Sequence, residues 1–262
     1  MEFLKLVLLM ALVFVPLERV LAIHPKQKVL RRSWLNDLVF WLANGQVIGL
    51  ALAAIVSGIV VASGALLGPS VHAFVASQPS WLQFTEVLIL SDIGFYWAHR
   101  SFHAIPCLWK IHSVHHSIEE LDWLAAARVH PIDQIITRGA SLLPVFALGF
   151  SDVVIGAYML LYTWQSVLIH SNVRIKFGPL RWVLASPEFH HWHHGRDVEA
   201  RDRNFAGLLP LLDVLFGTAH LPAGRWPTAY GIDTPMPQNY ALQLAHPFRK
   251  APTLQPQEET RG

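Results

Sequence analysis

Long apolar stretches dominate the first two thirds of the chain and predict helices that span a membrane. No Asp, Glu, Lys or Arg occurs over residues 38–85, and the rest of so small a soluble protein could not cover a charge-free run of this length. Within it, residues 47–67 are 21 apolar or small residues, which cross about 30 Å of hydrocarbon at about 1.5 Å each. This segment is the clearest predicted span.

Two further apolar stretches contain polar or helix-breaking residues. The stretch at 82–99 includes Glu86 and Asp92, and carboxylates within a span usually face the protein interior and have a functional partner. The stretch at 139–169 is interrupted by Pro144 and by the sequence GFSD. We therefore expect two short helices there, joined as a hairpin within the membrane.

The first apolar segment, at residues 5–22, is followed by four basic residues: Lys26, Lys28, Arg31 and Arg32. Since the segment ends in a small residue, one interpretation is a cleaved signal peptide. A retained anchor helix is favoured, because cleavage would carry the basic residues across the membrane against the positive-inside rule. With the anchor ending in the cytoplasm, the same rule places the histidine-bearing ends of the later helices on the cytoplasmic side.

These patterns predict an all-α integral membrane protein with about four transmembrane helices or helical hairpins and a cytoplasmic helical cap. The predicted divisions are an anchor helix with a basic linker at 1–34, a membrane-embedded domain at 35–220 and a Pro-rich tail at 221–262. We expect the tail to wrap the surface in extended form and to end in a disordered polar tip.

Composition excludes several classes of protein. The formal net charge of +2 and the lack of a long basic tract argue against a nucleic-acid partner. The single cysteine, Cys107, excludes an intramolecular disulfide and a thiolate metal cluster. The chain also has no glycine fingerprint for a nucleotide, no CxxCH and no ferredoxin cysteine set. A redox reaction would therefore need electrons from an external reductase, ferredoxin or cytochrome.

Histidines are concentrated in three short boxes. The first is HRSFH, with an i, i+4 spacing, and the second and third, HSVHH and HHWHH, both have the i, i+3, i+4 spacing of one helical face. Two copies of the HxxHH pattern are poorly explained by chance. The boxes contain His99 and His103; His112, His115 and His116; and His190, His193 and His194.

So many clustered imidazoles predict a metal site. They would repel one another when protonated, and would leave hydrogen-bonding capacity unused when neutral, unless a cation binds their lone pairs. A structural zinc site takes four ligands, whereas these histidines suffice for two metals with open positions. Two irons fit best, because imidazole suits iron and open coordination suits oxygen activation, although the residues leave another metal open.

One carboxylate shares a helical face with the first box. Asp92 lies seven residues before His99, and on a helix the two side chains point the same way. The carboxylate is expected either to accept the outer N–H of a ligating imidazole or to bond to another helix.

The three boxes, in this order, resemble those of the fatty acid hydroxylase superfamily, also called the sterol desaturase family. The first box follows SDIGFYWAHR, and the third lies between SPEF and RNFAGLLPLLDVLFGT, so the resemblance covers roughly residues 85–220. It implies a membrane-bound, non-haem di-iron oxygenase that uses O₂ and two external electrons to hydroxylate or desaturate a lipid. It also implies that the predicted cap carries a dimetal site and that the eight histidines are catalytic.

The resemblance implies further site residues. His170 in LIHSN matches an additional ligand, while Asn204 and Asp213 match a trailing motif with a supporting role. Some members carry another histidine where this chain has Arg174, so the ligand count of one metal stays open. His130 or His191 is an alternative ligand, with His191 favoured as a supporting residue because it points away from the HxxHH face.

Three other interpretations explain less of the pattern. A haem-type cytochrome needs only one or two axial histidines per haem, which leaves both HxxHH boxes unexplained. A zinc hydrolase would ordinarily carry a base beside its ligands, as in HExxH. A non-enzymatic metal-binding carrier needs ligands along a route through the membrane, whereas these cluster on one side.

Overall fold

The computed structural model describes residues 2–249. Its α-helices are, in chain order, α1 (Glu2–Val20), α2 (Trp34–Leu66), α3 (Pro69–Ser77), α4 (Ser80–Ala104), α5 (Pro106–His116), α6 (Pro131–Leu148), α7 (Asp152–His170), α8 (Pro187–His193), α9 (Leu211–Leu215) and α10 (Tyr240–Ala245). Over residues 2–249, β-structure is confined to two isolated bridges, Ala22 with Val173 and Gly195 with Tyr230. The all-α prediction is confirmed for this part of the chain.

Two helices are long and apolar enough to cross a membrane. They are α2, over Trp34–Gly64, and α7. Leu50 and Val61 of α2 are each 77% exposed, and Leu66 is 82% exposed, as expected of a helix surrounded by lipid. Within the described residues, length and composition therefore support two spans, and the prediction of about four stays a prediction.

The predicted hairpin over residues 139–169 forms with different bounds. Its first helix, α6, begins before residue 139 and continues through Pro144, so the two helices have 18 and 19 residues and are not short. Pro144 does not end α6, because it removes only one intrahelical hydrogen bond while Leu142 and Val145 are held in the core on either side. The chain reverses instead at Gly149, where a φ of 75° suits glycine.

The helix that carries the first histidine box, α4, lies between the two helices of this hairpin and packs against both. At Gly94, α4 approaches α6 so closely that a Cβ atom would collide with the backbone carbonyl of Ala140. A shared apolar core joins the three helices through Val87, Val145, Ile155 and Tyr158. The ends of α4 and α7, at Ala104 and His170, and the start of α6, at Pro131, are thereby brought together beside α5 and α8, which are called the cap below.

The N-terminal helix packs on the rest of the chain. Met10 and Phe14 are buried against Trp123 and Val167. The carboxylate of Glu18 accepts the backbone N–H groups of Trp123 at 2.7 Å and of Asn172 at 2.9 Å. The division at residue 34 stays a prediction, and these contacts support the expectation that the segment is retained.

A buried ion network joins the linker after α1 to the segment that follows the second histidine box. One nitrogen of Arg31 donates to Asp37 at 2.6 Å and to Asp122 at 2.7 Å. The guanidinium of Arg128 binds both carboxylate oxygens of Asp37. Burial opposes the charged form of Arg31, but Asp122 and Asp37 outweigh it and raise the pKa of the guanidinium. Arg31 is therefore part of the protein interior, because two carboxylates compensate its charge.

The Pro-rich tail returns over the cap and is partly buried. Tyr230 is 6% exposed and its hydroxyl donates to His191 at 2.8 Å, while Gln243 accepts from Asn36 at 2.9 Å. The prediction of a surface wrap is incomplete, because these polar side chains find partners in the interior. Residues 250–262, where the polar tip is predicted, lie outside the described residues.

Candidate metal centre

Nine histidines from four separate segments meet at the cap-proximal ends of α4 and α7. Within each of two groups, one potential ligand atom per residue lies within 4.8 Å of the others. All nine are buried except His103, which is half-buried. Group one comprises His99, His103, His112, His116 and His193; group two comprises His115, His170, His190 and His194.

Each HxxHH box contributes to both groups. In the second box, His112 and His116 belong to group one and His115 to group two; in the third box, His190 and His194 belong to group two and His193 to group one. The reason is helical geometry, since i and i+4 are about 40° apart whereas i+3 and i+4 are about 100° apart. The expectation that each box points one way therefore needs correction: the i+3 residue of each box belongs to the other group.

Short local signals fix the helices that carry these boxes. Pro106 occupies the first turn of α5, where its missing N–H costs nothing. Ser186 caps α8 by accepting the N–H of Phe189 at 3.2 Å. His170 is the last residue of α7, so its ring reaches past the helix end into the cap.

Acceptors fix the proton on several of the rings. His115 Nδ1 donates to the carbonyl of Arg128 at 3.0 Å, and His170 Nδ1 donates to the carbonyl of Ser166 at 2.7 Å. Because a carbonyl only accepts, the Nε2 atom of each ring carries a bare lone pair. In the same way, His99 Nδ1 donates to the carbonyl of Phe205 at 2.7 Å, and His193 Nδ1 donates to the carbonyl of Arg203 at 2.8 Å.

The Nε2 atoms of the histidines face one another. Those of His115 and His170 are 3.2 Å apart, and those of His170 and His190 are 2.9 Å apart. In group one, His116 Nε2 lies 3.1 Å from His112 Nε2 and 3.0 Å from His193 Nε2. Two imidazole nitrogens at adjacent positions, each about 2.1 Å from one ion, are separated by about 3.0 Å. Facing lone pairs repel, so this donor set fits metal ions in both groups.

His103 gives the same result. Its Nδ1 donates to Asp202 at 3.2 Å, and its Nε2 is buried and has no hydrogen-bond partner within the described residues. A buried nitrogen without a partner is costly, whereas a ligand atom is satisfied by its metal.

The rings on α5 and α8 are held neutral, as metal ligation requires. Burial, followed by repulsion from neighbouring imidazolium charge, keeps the pKa values of six of them well below the ordinary value of 6.5. These six are His112, His115, His116, His190, His193 and His194.

One important carboxylate is absent from the sequence-based predictions. Asp133, in the first turn of α6, accepts from His112 Nδ1 at 2.6 Å and is 2% exposed. An acidic residue at that position is ordinarily explained by the helix dipole, so its sequence context did not single it out. The structure gives Asp133 the role of orienting a histidine that was expected of Asp92.

We expect Asp133→Asn to weaken metal binding by about 10- to 100-fold, because the carboxyl group that orients the His112 ring through Nδ1 is lost. Iron retained per chain during titration with a chelator measures the effect. Asp152→Asn is the matched control, since Asp152 is an exposed acid at the start of α7. Equal iron retention in the two variants would contradict this role.

Asp92 does not contact an imidazole. Its carboxylate accepts the backbone N–H groups of Gly207, Leu208 and Leu209 at 3.1, 2.9 and 2.7 Å. The seven residues between Asp92 and His99 correspond to about 10 Å along α4, which is too far for a direct hydrogen bond. The expected bond to a ligating ring is therefore wrong, and Asp92 instead anchors the segment that follows the site.

Asn204 and Asp213 act on the histidines through backbone. Asp213 accepts the N–H groups of Phe205 and Ala206, each at 2.8 Å. Asn204 has a positive φ of 57° and donates to the carbonyl of Phe189 at 2.9 Å. Together they hold the segment 203–206, whose carbonyls orient His99 and His193. This agrees with the indirect role expected of Asn204 and Asp213.

The alternative ligands lie outside both groups. His130 caps α6 and contacts the carbonyl of Leu244 at 3.2 Å. His191 donates to the carbonyl of Ser171 at 3.0 Å and accepts from Tyr230. Arg174 bonds to the segment after α1, through Leu21 and Ile23, so it adds nothing to group two.

Two cavities reach the histidines. A small cavity of about 70 Å³ lies between α4, α6 and α7, and both groups line it: His99 and His112 of group one and His115, His170 and His190 of group two, together with Phe95 and Tyr162. A wider cleft of about 770 Å³ reaches His103, His116 and His193. Its rim is basic on balance, with Lys110, Arg196, Arg201 and Arg249 against Asp202 and Asp233.

Comparisons with known proteins agree with this site. The sequence model of the fatty acid hydroxylase family matches residues 84–218, which contain all nine histidines. The chain is 30% identical over 179 residues to the ornithine lipid hydroxylase OlsE of Rhizobium tropici, covering 68% of this chain and 54% of that protein. It is 33% identical over 145 residues to the alkylglycerol monooxygenase of Homo sapiens, covering 55% of this chain and 32% of that protein.

A third similarity is to a very-long-chain aldehyde decarbonylase of Oryza sativa, at 27% identity over 146 residues, covering 53% of this chain and 54% of that protein. The chain thus spans about half the length, or less, of these relatives. No solved structure is significantly similar to it. The match over more than half of its residues, which includes all three histidine boxes, shows that the chain belongs to the fatty acid hydroxylase family.

Proposed function

We propose that this chain is a membrane-bound, non-haem di-iron oxygenase that hydroxylates or desaturates an unactivated C–H position of a lipid. The observation that carries the proposal is the pair of histidine groups in which Nε2 atoms face one another at 2.9–3.2 Å. The names of two relatives also support the proposal: one is an ornithine lipid hydroxylase and the other an alkylglycerol monooxygenase.

Group one and group two each hold one iron, with His99 and His170 among the ligands. When bound, the two irons supply the dioxygen activation that oxidation of a C–H bond requires. The protein contributes the orientation of the ligands: Asp133 and the carbonyls of Arg128, Arg203 and Phe205 fix the ring protons on Nδ1. The buried cap also limits access of bulk water to the reacting carbon.

The lipid reaches the site from the bilayer. The small cavity lies on the membrane side of group two, between α7, which is apolar enough to span, and α4 and α6. The metal groups lie at the opposite end of these helices from the reversal at Gly149, and the positive-inside rule assigns that end to the cytoplasm.

Electrons come from an external donor. The chain has one cysteine, so it cannot itself hold an iron–sulfur cluster with four cysteine ligands. The wide cleft with its basic rim reaches group one from the solvent side, which suits an acidic reductase, ferredoxin or cytochrome.

The proposal is tested by iron content and lipid products together. We expect the purified chain to hold about two irons and the lipids of an aerated expressing strain to gain a hydroxyl group or a double bond. His112→Ala removes a ligand of group one, so this variant should hold fewer than two irons and should not produce the modified lipids. His72→Ala is the matched control, since His72 contacts only the carbonyl of Ala147, near the hairpin reversal. Identical lipids in the wild-type and His112→Ala strains, with oxygen and a reductant present, would refute the oxygenase proposal.

A further inference from the structure

An arginine lines the small cavity on the membrane side of group two. Arg138 on α6 is half-buried, and its guanidinium lies over the ring of Tyr162 at 5.9 Å from the ring centroid. Tyr162 lies near the middle of α7, a helix that is apolar enough to span a membrane. Arg138, on α6, therefore lies level with the middle of α7. Its depth, judged from Tyr162, is about 12 Å from the cap end of α7.

In the described part of the chain no carboxylate pairs with Arg138; Asp133 lines the same cavity but accepts from His112 instead. Among residues 2–249 the guanidinium has the contact with Tyr162 but neither an ion pair nor a hydrogen bond. A ring face attracts a cation more weakly than a carboxylate does, and cations within a membrane segment ordinarily have an acidic partner. By contrast, the other arginine buried nearby, Arg128, is paired with Asp37.

Polar side chains continue from Arg138 to the metal groups. On α6, Gln134 and Arg138 are one helical turn apart; on α7, Tyr162, Ser166 and His170 are at successive four-residue steps. All five line the same cavity. A polar track between two apolar helices, ending at a histidine of group two, is costly to maintain unless a polar ligand occupies it.

We propose that Arg138 binds the anionic group of the lipid substrate, with Gln134 and Ser166 as further donors. This inference rests on the proposed function and specifies its substrate as a lipid with a phosphate or a carboxylate. Guanidinium groups suit both anions, because their planar donors match two oxygens at once.

The size of the cavity limits where the lipid is oxidised. A volume of about 70 Å³ accommodates a small group and not a whole lipid, which ordinarily needs several hundred Å³. Ser166 and Tyr162 are about 6 and 12 Å from His170 along α7. The reacting carbon therefore lies close to the anionic group, near the polar end of the lipid, and the apolar chains remain outside the cavity.

Equilibrium binding of three radiolabelled probes tests this site, using the purified full chain in neutral detergent. The probes are hexadecyl phosphate, hexadecanoate and hexadecanol, which share one alkyl chain and differ in charge. We expect one anionic probe to bind at least about 10-fold more tightly than hexadecanol, because charge-assisted hydrogen bonds form to the guanidinium. The preferred anionic probe distinguishes a phosphate from a carboxylate.

Variants identify the residue. Arg138→Gln should remove the preference for the anionic probe and leave hexadecanol binding unchanged, while Arg138→Lys should keep part of it. Arg181→Gln is the matched control, because Arg181 also lies over an aromatic ring, that of Trp182, but lines neither cavity. Inorganic phosphate as competitor should leave the affinity unchanged if the lipid anion is recognised as part of the lipid.

Three outcomes would overturn the inference: equal binding of all three probes by the wild-type chain, an equal loss for all probes in Arg138→Gln, or displacement of the lipid by inorganic phosphate. The binding measurement requires no turnover. The proposed function fails instead on iron content and lipid products, so the two failures are distinguishable.

Discussion

His193→Ala and His194→Ala should each remove a different iron, although the two residues are adjacent. His193 belongs to group one and His194 to group two. We expect each variant to fall from about two irons per chain to about one, and product formation to fall by more than about 100-fold, since loss even of a residue that orients a ligand costs 10- to 100-fold. Iron per chain, measured on purified protein, gives the first quantity.

Double variants show which iron is lost. His193→Ala combined with His116→Ala should lose no more iron than either single variant, because both residues serve group one. His193→Ala combined with His194→Ala should lose both irons. His72→Ala, outside both groups and near the hairpin reversal, is the control and should keep both. If the adjacent double variant still holds one iron, the division into two groups is wrong.

Asp37→Ala should destabilise the protein by about 3–5 kcal/mol, the usual cost of removing one partner from a buried ion pair. Asp37 is 0% exposed and is bound by Arg31 and Arg128, so alanine leaves two buried arginines without this carboxylate. The carbonyl of Arg128 also accepts from His115. The variant should therefore also loosen the iron of group two.

Unfolding in mixed micelles measures the loss of stability. Glu119→Ala is the matched control, because Glu119 and Arg32 form an exposed pair at 3.9 Å whose side chains are 67% and 71% exposed. Exposed pairs contribute less than about 1 kcal/mol. Similar unfolding free energies for Asp37→Ala and Glu119→Ala would show that the buried network contributes little to stability.

The chemistry of the site could be read from local spacing, whereas its orienting contacts could not. The boxes, with His170 from the family resemblance, name all nine histidines that the structure brings together. The partners of their rings are set by long-range contacts: Asp133 is 21 residues from His112, and Phe205 is 106 residues from His99. Backbone carbonyls leave no residue-specific signal, so no sequence pattern points to them.

The fold was predictable where periodicity and helix ends carry the information. The reversal at Gly149 follows from a glycine between two apolar runs. The continuation of α6 through Pro144 depends on the packing of Leu142 and Val145, which a local rule for proline does not contain. The burial of Arg31 could not be predicted for the same reason, because its carboxylate partners lie 6 and 91 residues away.

The residues that orient the histidine rings lie late in the sequence, which limits how early in synthesis a metal can be fully ligated. The carbonyls of Arg203 and Phe205 orient rings in group one, and Tyr230 fastens the third box through His191. Chains fold progressively as they leave the ribosome, so the first two boxes emerge long before these contacts exist. We therefore expect the two histidine groups to be completed only after residues 203–230 have been synthesised.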